Sequence, residues 1–425
     1  MNRLALHGGV PVRCEPWPQW PQSTVQSEQA LLTVMRSGRW SVSGLETDGS
    51  PAWDTRFAQA FARYNGVECC VPTANGTSAL MSSMQALGIG AGDEVIVPGM
   101  TWVACASAVL AINAIPVIVD IDPLSLCLDP RAVEAAIGPR TRAVMAVHLY
   151  NAIADLDALL ALTRQHGLHL IEDCAQAHGA LWRGRRVGSI GTVGTFSMQN
   201  GKVLTSGEGG ACICDDPQLA ARIYRLRSDG RRLASQPVPS GHMNLEEGGP
   251  GFAQNFCLSE PQAAILLCRL EDLDQENAQR ARQAQTLRRH LEEIGGFGFQ
   301  HSAPGTEATT LYHFPIRLEG PEFDGVDVEQ VCQALSAELG CWVHPTYPPM
   351  DEFSLLAPGL SRRLLAPPRV PQPLLGARKA RRQHVVLAHW LFLTDSHAMA
   401  QIADAFAKVK QQAASLRVRQ GEGQL

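Results

Sequence analysis

The stretch Arg142-Ala-Val-Met-Ala-Val-His148, then a helical pattern from Asp155 to His166, then His169-Leu-Ile-Glu-Asp173, reads as strand, helix, strand. Both apolar runs are continuous rather than alternating, which predicts strands buried on both faces. Upstream, Glu94-Val-Ile-Val-Pro98 and Pro116-Val-Ile-Val-Asp120 repeat the strand pattern, with a helix over Ala104 to Ile112 between them. Strands of this kind joined by helices predict an α/β fold built on a mostly parallel sheet covered on both faces. In such sheets ligands sit at the carboxyl ends of the strands, so residues there are the site candidates.

Downstream, the segment from Leu233 to Gly251 contains Gln236-Pro-Val-Pro-Ser-Gly241 and Glu246-Glu-Gly-Gly-Pro-Gly251. Its composition predicts a loop, either a surface segment or a functional flap. Glu260 to Gly295 then reads as one long helix leading into a C-terminal domain. A strand over Tyr312 to Leu318 and an amphipathic closing helix over Ala398 to Ala413 belong to that domain, and Arg417 to Leu425 is expected to fray. The division predicted is a large domain over residues 1–275 and a smaller C-terminal α+β domain over residues 276–425.

The chain has 425 residues, with 36 Lys+Arg against 41 Asp+Glu and a net charge of −5. That mild balance, without blocks of like charge, argues against a nucleic-acid or acidic-membrane binder. Met1 to Arg13 has no apolar signal-peptide core, and the apolar run from Val103 to Asp120 is broken by Asn113 and Pro116. A cytoplasmic protein is expected. The 12 cysteines include no C-x-x-C pair and no zinc-finger spacing to histidine, so neither a metal nor a disulfide framework is expected. The adjacent Cys69 and Cys70 are read as small thiols in a reducing compartment.

Four segments carry chemistry. Thr73-Ala-Asn-Gly-Thr-Ser-Ala-Leu80 opens a helical run with small residues, which lets backbone N–H groups approach a phosphate; the same residues also make an ordinary turn and N-cap. Ile171-Glu-Asp-Cys-Ala-Gln-Ala-His-Gly179 puts Asp173 at a strand end, where it can hold a positive ring nitrogen or simply cap a helix. His178 beside Gly179 reads as a packing or orienting residue. Gly194-Thr-Phe-Ser-Met-Gln-Asn-Gly-Lys202, followed by Val-Leu-Thr-Ser-Gly-Glu-Gly-Gly210, places Lys202 in a turn between two apolar strands. A lysine so enclosed can serve as a Schiff-base amine, and in a chain that favours arginine over lysine a mere surface role fits it less well. Finally, Gly251-Phe-Ala-Gln-Asn-Phe-Cys-Leu-Ser-Glu-Pro-Gln-Ala-Ala-Ile265 leads into the long helix, with Asn255 as a possible cap.

In this order and spacing, the four segments resemble the fold-type I pyridoxal-phosphate aminotransferases of the DegT/StrS family, from about Trp17 to about Ala413. The resemblance implies pyridoxal 5′-phosphate as cofactor and a role for each matching residue. Lys202 matches the lysine that forms the Schiff base, and Ser197 the serine on the cofactor phosphate. Gly76 and Thr77 match the phosphate-cradling turn, Trp102 the aromatic residue stacked on the ring, and Asp173 the partner of the ring nitrogen. Gln176 matches a polar residue beside the ring. Asn255 looks like the asparagine that reaches the phosphate in the neighbouring subunit, which implies a homodimer with shared active sites. Two half-reactions with ping-pong kinetics are then expected.

Trp17-Pro-Gln-Trp-Pro-Gln22, Ser37-Gly-Arg-Trp-Ser-Val-Ser-Gly44 and Val343-His-Pro-Thr-Tyr-Pro-Pro349 look like the cyclitol branch of the family. That branch implies L-glutamine as donor and scyllo-inosose or 2-deoxy-scyllo-inosose as acceptor. Cys257 fits, because many nucleotide-sugar members carry arginine there and an acceptor without a diphosphate needs less positive charge. Asn151 departs from the pattern, since many relatives have glycine after His148-Leu-Tyr150, and a side chain near the cofactor rim would alter acceptor fit. Met198-Gln-Asn-Gly201 is also similar to 3-amino-5-hydroxybenzoate synthases, so that activity stays open, as do a nucleotide-keto-sugar acceptor and a non-catalytic cofactor-binding paralogue. Lys202 disfavours the superfamily's dehydratases, which carry histidine there. Trp17, Trp20 and Trp40 are either pocket-lining or interface core, and His344 and Tyr347 are pocket-edge candidates.

Overall fold

Seven strands form the central sheet of the computed structural model, which describes residues 3–42, 51–234, 243, 245–249, 251–356 and 366–417. Their order across the sheet is Cys69–Thr73, Gly210–Cys214, Val193–Ser197, His169–Asp173, Thr141–Val147, Glu94–Pro98, Ile115–Val119. The five strands from Val193–Ser197 to Ile115–Val119 pair in parallel, while Gly210–Cys214 runs antiparallel to both of its neighbours. The Val/Ile runs form strands for the reason their sequence suggested. Val95, Ile96, Val97, Val117 and Ile118 are all fully buried, and β-branched side chains pack well on a pleated surface covered on both sides.

Local signals delimit the connecting helices. Asp155 caps Leu156–His166 by accepting the Ala158 amide at 3.1 Å, and Gly167, at a φ of 64°, ends it. A left-handed residue at that place favours glycine. Glu260–Ile294 runs for 35 residues, about 50 Å at the usual rise. It begins with a capping box between Ser259 and Gln262. Its first part buries Ala263, Leu266 and Leu273 against the large sheet, and its later part buries Leu287 and Leu291 in a second core. That second core lies on a four-stranded antiparallel sheet ordered Phe297–Phe299, His313–Leu318, His384–Ala388, His344–Pro345, with helices Val328–Leu339 and Ser396–Gln411 packed on it.

One expectation needs correction. The Leu233 to Gly251 segment is not wholly loop: Arg231–Leu233 pairs antiparallel with Leu245–Glu247. The pairing is missed because Leu245-Glu-Glu has no apolar alternation to mark a strand. Residues 235–242, 244 and 250 of that segment lie outside the described residues, as do Ser43, Gly44 and the tail from 418 to 425. All twelve cysteines are free thiols. Among the described residues no helix is long and apolar enough to cross a membrane.

Candidate active site

A cavity of about 580 Å³ opens at the carboxyl ends of the parallel strands, lined among others by Gly76, Thr77, Trp102, Asp173, Gln176, Ser197 and Lys202. Asp173 and Ser197 are each the last residue of a strand. Gly76 and Thr77 open the helix Gly76–Ala86, where Asn75 Oδ1 accepts the Ser78 amide at 2.8 Å. The amides of Gly76 and Thr77 precede the first possible intrahelical bond and point outward from the helix start. Gly76 packs so close to Ser197 that a Cβ there would stand 2.7 Å from the Ser197 Cβ. The site thus brings a helix start and a hydroxyl together at one point, held close by the glycine between them, a suitable cradle for a phosphate.

At the other side of the cavity Asp173 is buried, and its Oδ1 accepts the Ala175 amide at 3.0 Å. Its Oδ2 accepts from the Cys105 thiol at 3.2 Å. Burial first, and then the charge of Asp173, push the Cys105 thiol well above its ordinary value, so it stays a donor. Lys202 is buried, with Nζ 4.3 Å from the centre of the Tyr312 ring. Trp102 is exposed along the cavity rim, its ring 6.0 Å from that of Tyr347. Gln176 ties the wall together, its Oε1 accepting the Tyr150 amide at 2.8 Å while Nε2 lies 3.5 Å from the Tyr347 hydroxyl. Tyr150 takes a φ of 59°, and its hydroxyl accepts the Tyr347 amide at 2.9 Å. The Tyr150 and Tyr347 rings stack at 5.4 Å.

His178 is buried against Phe196, and burial, followed by the Lys202 charge, lowers its pKa to about 3. A neutral packing ring matches its sequence reading. His344 does not line this cavity but the adjoining groove, which shares Trp102, Tyr312 and Tyr347 with it. Tyr347 lines both. Asn151 is not part of the cavity wall; its amide donates to Gln300 Oε1 at 3.2 Å, because the left-handed turn at Tyr150 carries the chain away. Asn255 is exposed outside the cavity, with its Oδ1 accepting the Cys257 amide at 3.3 Å. The three tryptophans also lie elsewhere. Trp17 donates to Leu339 O at 2.7 Å beside the second core, Trp20 donates to Asn200 O at 3.1 Å, and Trp40 is half exposed with its indole near Met35 O.

His148, Glu172 and Cys174 form a buried group whose ligand-type atoms lie within 4.8 Å of one another. Protein partners already engage them. Glu172 accepts amides from Gly188, Ile190 and Gly191 at 2.6–2.8 Å, and lies 3.2 Å from His148 Nε2. Burial pushes the Glu172 carboxyl up, but His148 and these amides outweigh it and hold the group below the usual range.

Sequence reasoning did not single out Cys105, Tyr312 or Glu208. Glu208 and Tyr312 line the cavity, and Cys105 binds Asp173 beneath it. Cys105 follows Trp102 by three residues, and its amide donates to Trp102 O at 3.2 Å, so its nearness to that position is a signal that could have found it. Tyr312 arrives from just before the strand His313–Leu318 of the smaller sheet and leaves no local trace.

Comparison with known proteins agrees with this geometry. The model of the DegT/DnrJ/EryC1/StrS aminotransferase family matches residues 21–363. The chain is 48% identical over 424 residues to an L-glutamine:2-deoxy-scyllo-inosose aminotransferase of Streptomyces kanamyceticus, covering 98% of each. It is 47% identical over 415 residues to an L-glutamine:scyllo-inosose aminotransferase of Streptomyces griseus, covering 96% of this chain and 97% of that one. Among solved structures it resembles 3-amino-5-hydroxybenzoic acid synthase with a TM-score of 0.79 and 27% identity, covering 95% of this chain and 100% of that one.

Proposed function

This chain belongs to the DegT/DnrJ/EryC1/StrS aminotransferase family, and from that premise we propose that it moves the amino group of L-glutamine to a keto-cyclitol such as scyllo-inosose or 2-deoxy-scyllo-inosose. It is a transaminase with the fold-type I architecture, and its cofactor is pyridoxal 5′-phosphate. The observation that carries the substrate proposal is the near-full-length similarity to cyclitol aminotransferases, joined to a cavity holding the matching side chains in one place. The 3-amino-5-hydroxybenzoate reading draws on a more distant likeness, 27% against 48%.

When bound, pyridoxal phosphate supplies an aldehyde for the donor amine and a ring that accepts electron density. The residues of this chain do the rest. The amides of Gly76 and Thr77 and the Ser197 hydroxyl bind the phosphate at the helix start, where the dipole favours an anion. Asp173, steadied by the Ala175 amide and the Cys105 thiol, holds a proton on the ring nitrogen. Trp102 would offer its indole to the cofactor ring, and Gln176, held to the Tyr150 amide and near the Tyr347 hydroxyl, would line the pocket beside it. Lys202 Nζ, buried at the cavity over the Tyr312 ring, would hold the cofactor's aldehyde and, when free, would serve as the base that moves the substrate's proton.

Asn255, exposed and away from its own cavity, is assigned to the phosphate of a neighbouring subunit, which makes the working unit a homodimer with shared sites. The compartment proposed is the cytoplasm. The domain boundary is placed at residues 275 and 276. The passage of the long helix from one core to the other supports it, although Leu4 joins the second core and Met350 and Leu374 join the first.

The test is the visible spectrum of the cofactor-loaded protein before and after L-glutamine, without acceptor, beside a Lys202→Ala variant. The band of the lysine-bound cofactor is expected in the parent, bleached by L-glutamine, and missing in the variant. Bleaching by another amino acid but not by L-glutamine refutes the donor. A parent that never forms the band refutes the assignment of Lys202.

A further inference from the structure

The two carbonyl groups just before Lys202 are both held from outside its turn. The Trp20 indole N–H donates to Asn200 O at 3.1 Å, and His389 Nε2 lies 3.1 Å from Gly201 O. The two rings meet edge to face, 4.6 Å apart. Trp20 belongs to the N-terminal segment, and His389 begins the short 3-10 turn after the strand His384–Ala388 of the smaller sheet. Distant parts of the chain therefore converge on one turn.

The chemistry of the contact is one-sided. A carbonyl oxygen only accepts, so Nε2 of His389 carries the proton. His389 is fully buried, and burial, then the charge of Arg280, holds its pKa well below the ordinary histidine value, which keeps the ring a neutral donor. Trp20 is steadied in turn, with the Arg269 and Arg280 guanidinium carbons 5.8 and 5.3 Å from its ring, within cation–π reach. Inside the turn the Lys202 amide donates to Gln199 O at 2.8 Å, and the Gly201 amide to Gln199 Oε1 at 2.8 Å. Tyr312 completes the arrangement. Its ring stacks on His389 at 6.1 Å and lies 4.3 Å beneath Lys202 Nζ.

We propose that Trp20 and His389 are positioning residues for Lys202, pinning the carbonyls of Asn200 and Gly201 so that the amine stays over Tyr312 and faces the cavity. The lysine stem has four rotatable bonds, so the place of its Cα decides where its amine can reach. Pinning the turn also ties the seating of the N-terminal segment and of the second core to the readiness of the lysine. The proposal rests on Lys202 being the residue that bonds the cofactor.

The chain has only four lysines, Lys202, Lys379, Lys408 and Lys410, which makes the test direct. Full-length, cofactor-free protein is labelled briefly with acetic anhydride across a pH series, and mass spectrometry scores Lys202 against the other three. The variants are Trp20→Phe, His389→Leu and His389→Gln, the last keeping an N–H donor near the Nε2 position. Losing one hydrogen bond should raise relative labelling of Lys202 about two- to tenfold in Trp20→Phe and His389→Leu, with His389→Gln close to the parent. In cofactor-loaded protein the pH at which the visible band changes should move in the same two variants and not in His389→Gln. Relative labelling within about 1.5-fold of the parent in folded Trp20→Phe and His389→Leu overturns the proposal. If His389→Leu does not fold, Trp20→Phe decides alone. Borohydride reduction of the loaded parent followed by peptide mapping tests Lys202 itself. Failure there sinks the functional reading, while the labelling of cofactor-free protein still judges the clamp.

Discussion

Replacing Gly76 by alanine puts one methyl group where the structure has no room for it. The new Cβ would stand 2.7 Å from Ser197 Cβ, 3.2 Å from its Oγ and 3.3 Å from its Cα. Rotating the Ser197 side chain moves only Oγ, so the clash with Cβ and Cα persists and the helix start must move off the strand end. Overpacking of this kind costs about 1–3 kcal/mol. The displaced parts are the two walls of the phosphate cradle, so the cost falls on cofactor binding. At 1.4 kcal/mol per tenfold it predicts a dissociation constant for pyridoxal phosphate raised about 5- to 150-fold. Fluorescence titration of cofactor-free protein measures it, with thermal unfolding run alongside. Gly90→Ala is the matched control, because a Cβ at Gly90 meets nothing within 4 Å. A Gly76→Ala protein that binds pyridoxal phosphate as tightly as Gly90→Ala refutes the cradle.

Further outcomes follow from the same geometry. Arg227 is fully buried, with Nη1 and Nη2 on the two Asp54 carboxylate oxygens at 2.9 and 3.0 Å. Asp54→Ala leaves that charge unpaired and should cost about 3–5 kcal/mol in urea unfolding; a loss below about 1 kcal/mol contradicts the pairing. Trp102 is 57% exposed. Trp102→Ala should therefore leave the cofactor-free melting point nearly unchanged while weakening cofactor binding about two- to tenfold, and Trp102→Phe should recover most of it; equal losses in both point to a different role. Burial lowers His178 to about 3 and His384 to about 4. A depressed folded value means the unfolded chain takes up protons first, so this stability is complete above about pH 6.5 and is lost as pH falls to about 4 for His384 and about 3 for His178. Each such ring contributes a slope of up to about 1.4 kcal/mol per pH unit, and His178→Phe should flatten the acid limb of the stability curve. An unchanged limb counts against the buried neutral ring.

The sequence made some elements plain and left others dark for physical reasons. Runs such as Val95-Ile-Val97 and Val144-Met-Ala146 could be read because strands buried on both faces need continuous apolar residues, and the strands begin and end within a residue of that reading. Leu245-Glu-Glu247 could not, since an exposed two-stranded ribbon imposes no such pattern. In the site, Gly76, Ser197, Asp173 and Lys202 were legible because each sits at a strand end, a helix start or a turn with its own local marks. Tyr312, Cys105 and the Tyr150–Gln176–Tyr347 wall depend on which segments meet across the fold, and local spacing carries no record of that. Asn151 falls outside the lining of the cavity, just after the left-handed residue Tyr150, a turn that sequence alone does not display.

Glu172 and Asp173 are neighbours on one strand and so face opposite sides of the sheet. A slip of that strand by one residue would still present a carboxylate to the cavity, so the error would be chemically disguised. What distinguishes the two alignments is the reverse side, where Glu172 accepts three amides from the 188–191 segment. In that slip Ile171 would stand where Glu172 does and could accept none of the three amides. The longer acid thus works as a ruler, and the segment it measures is what keeps the shorter acid facing the cavity.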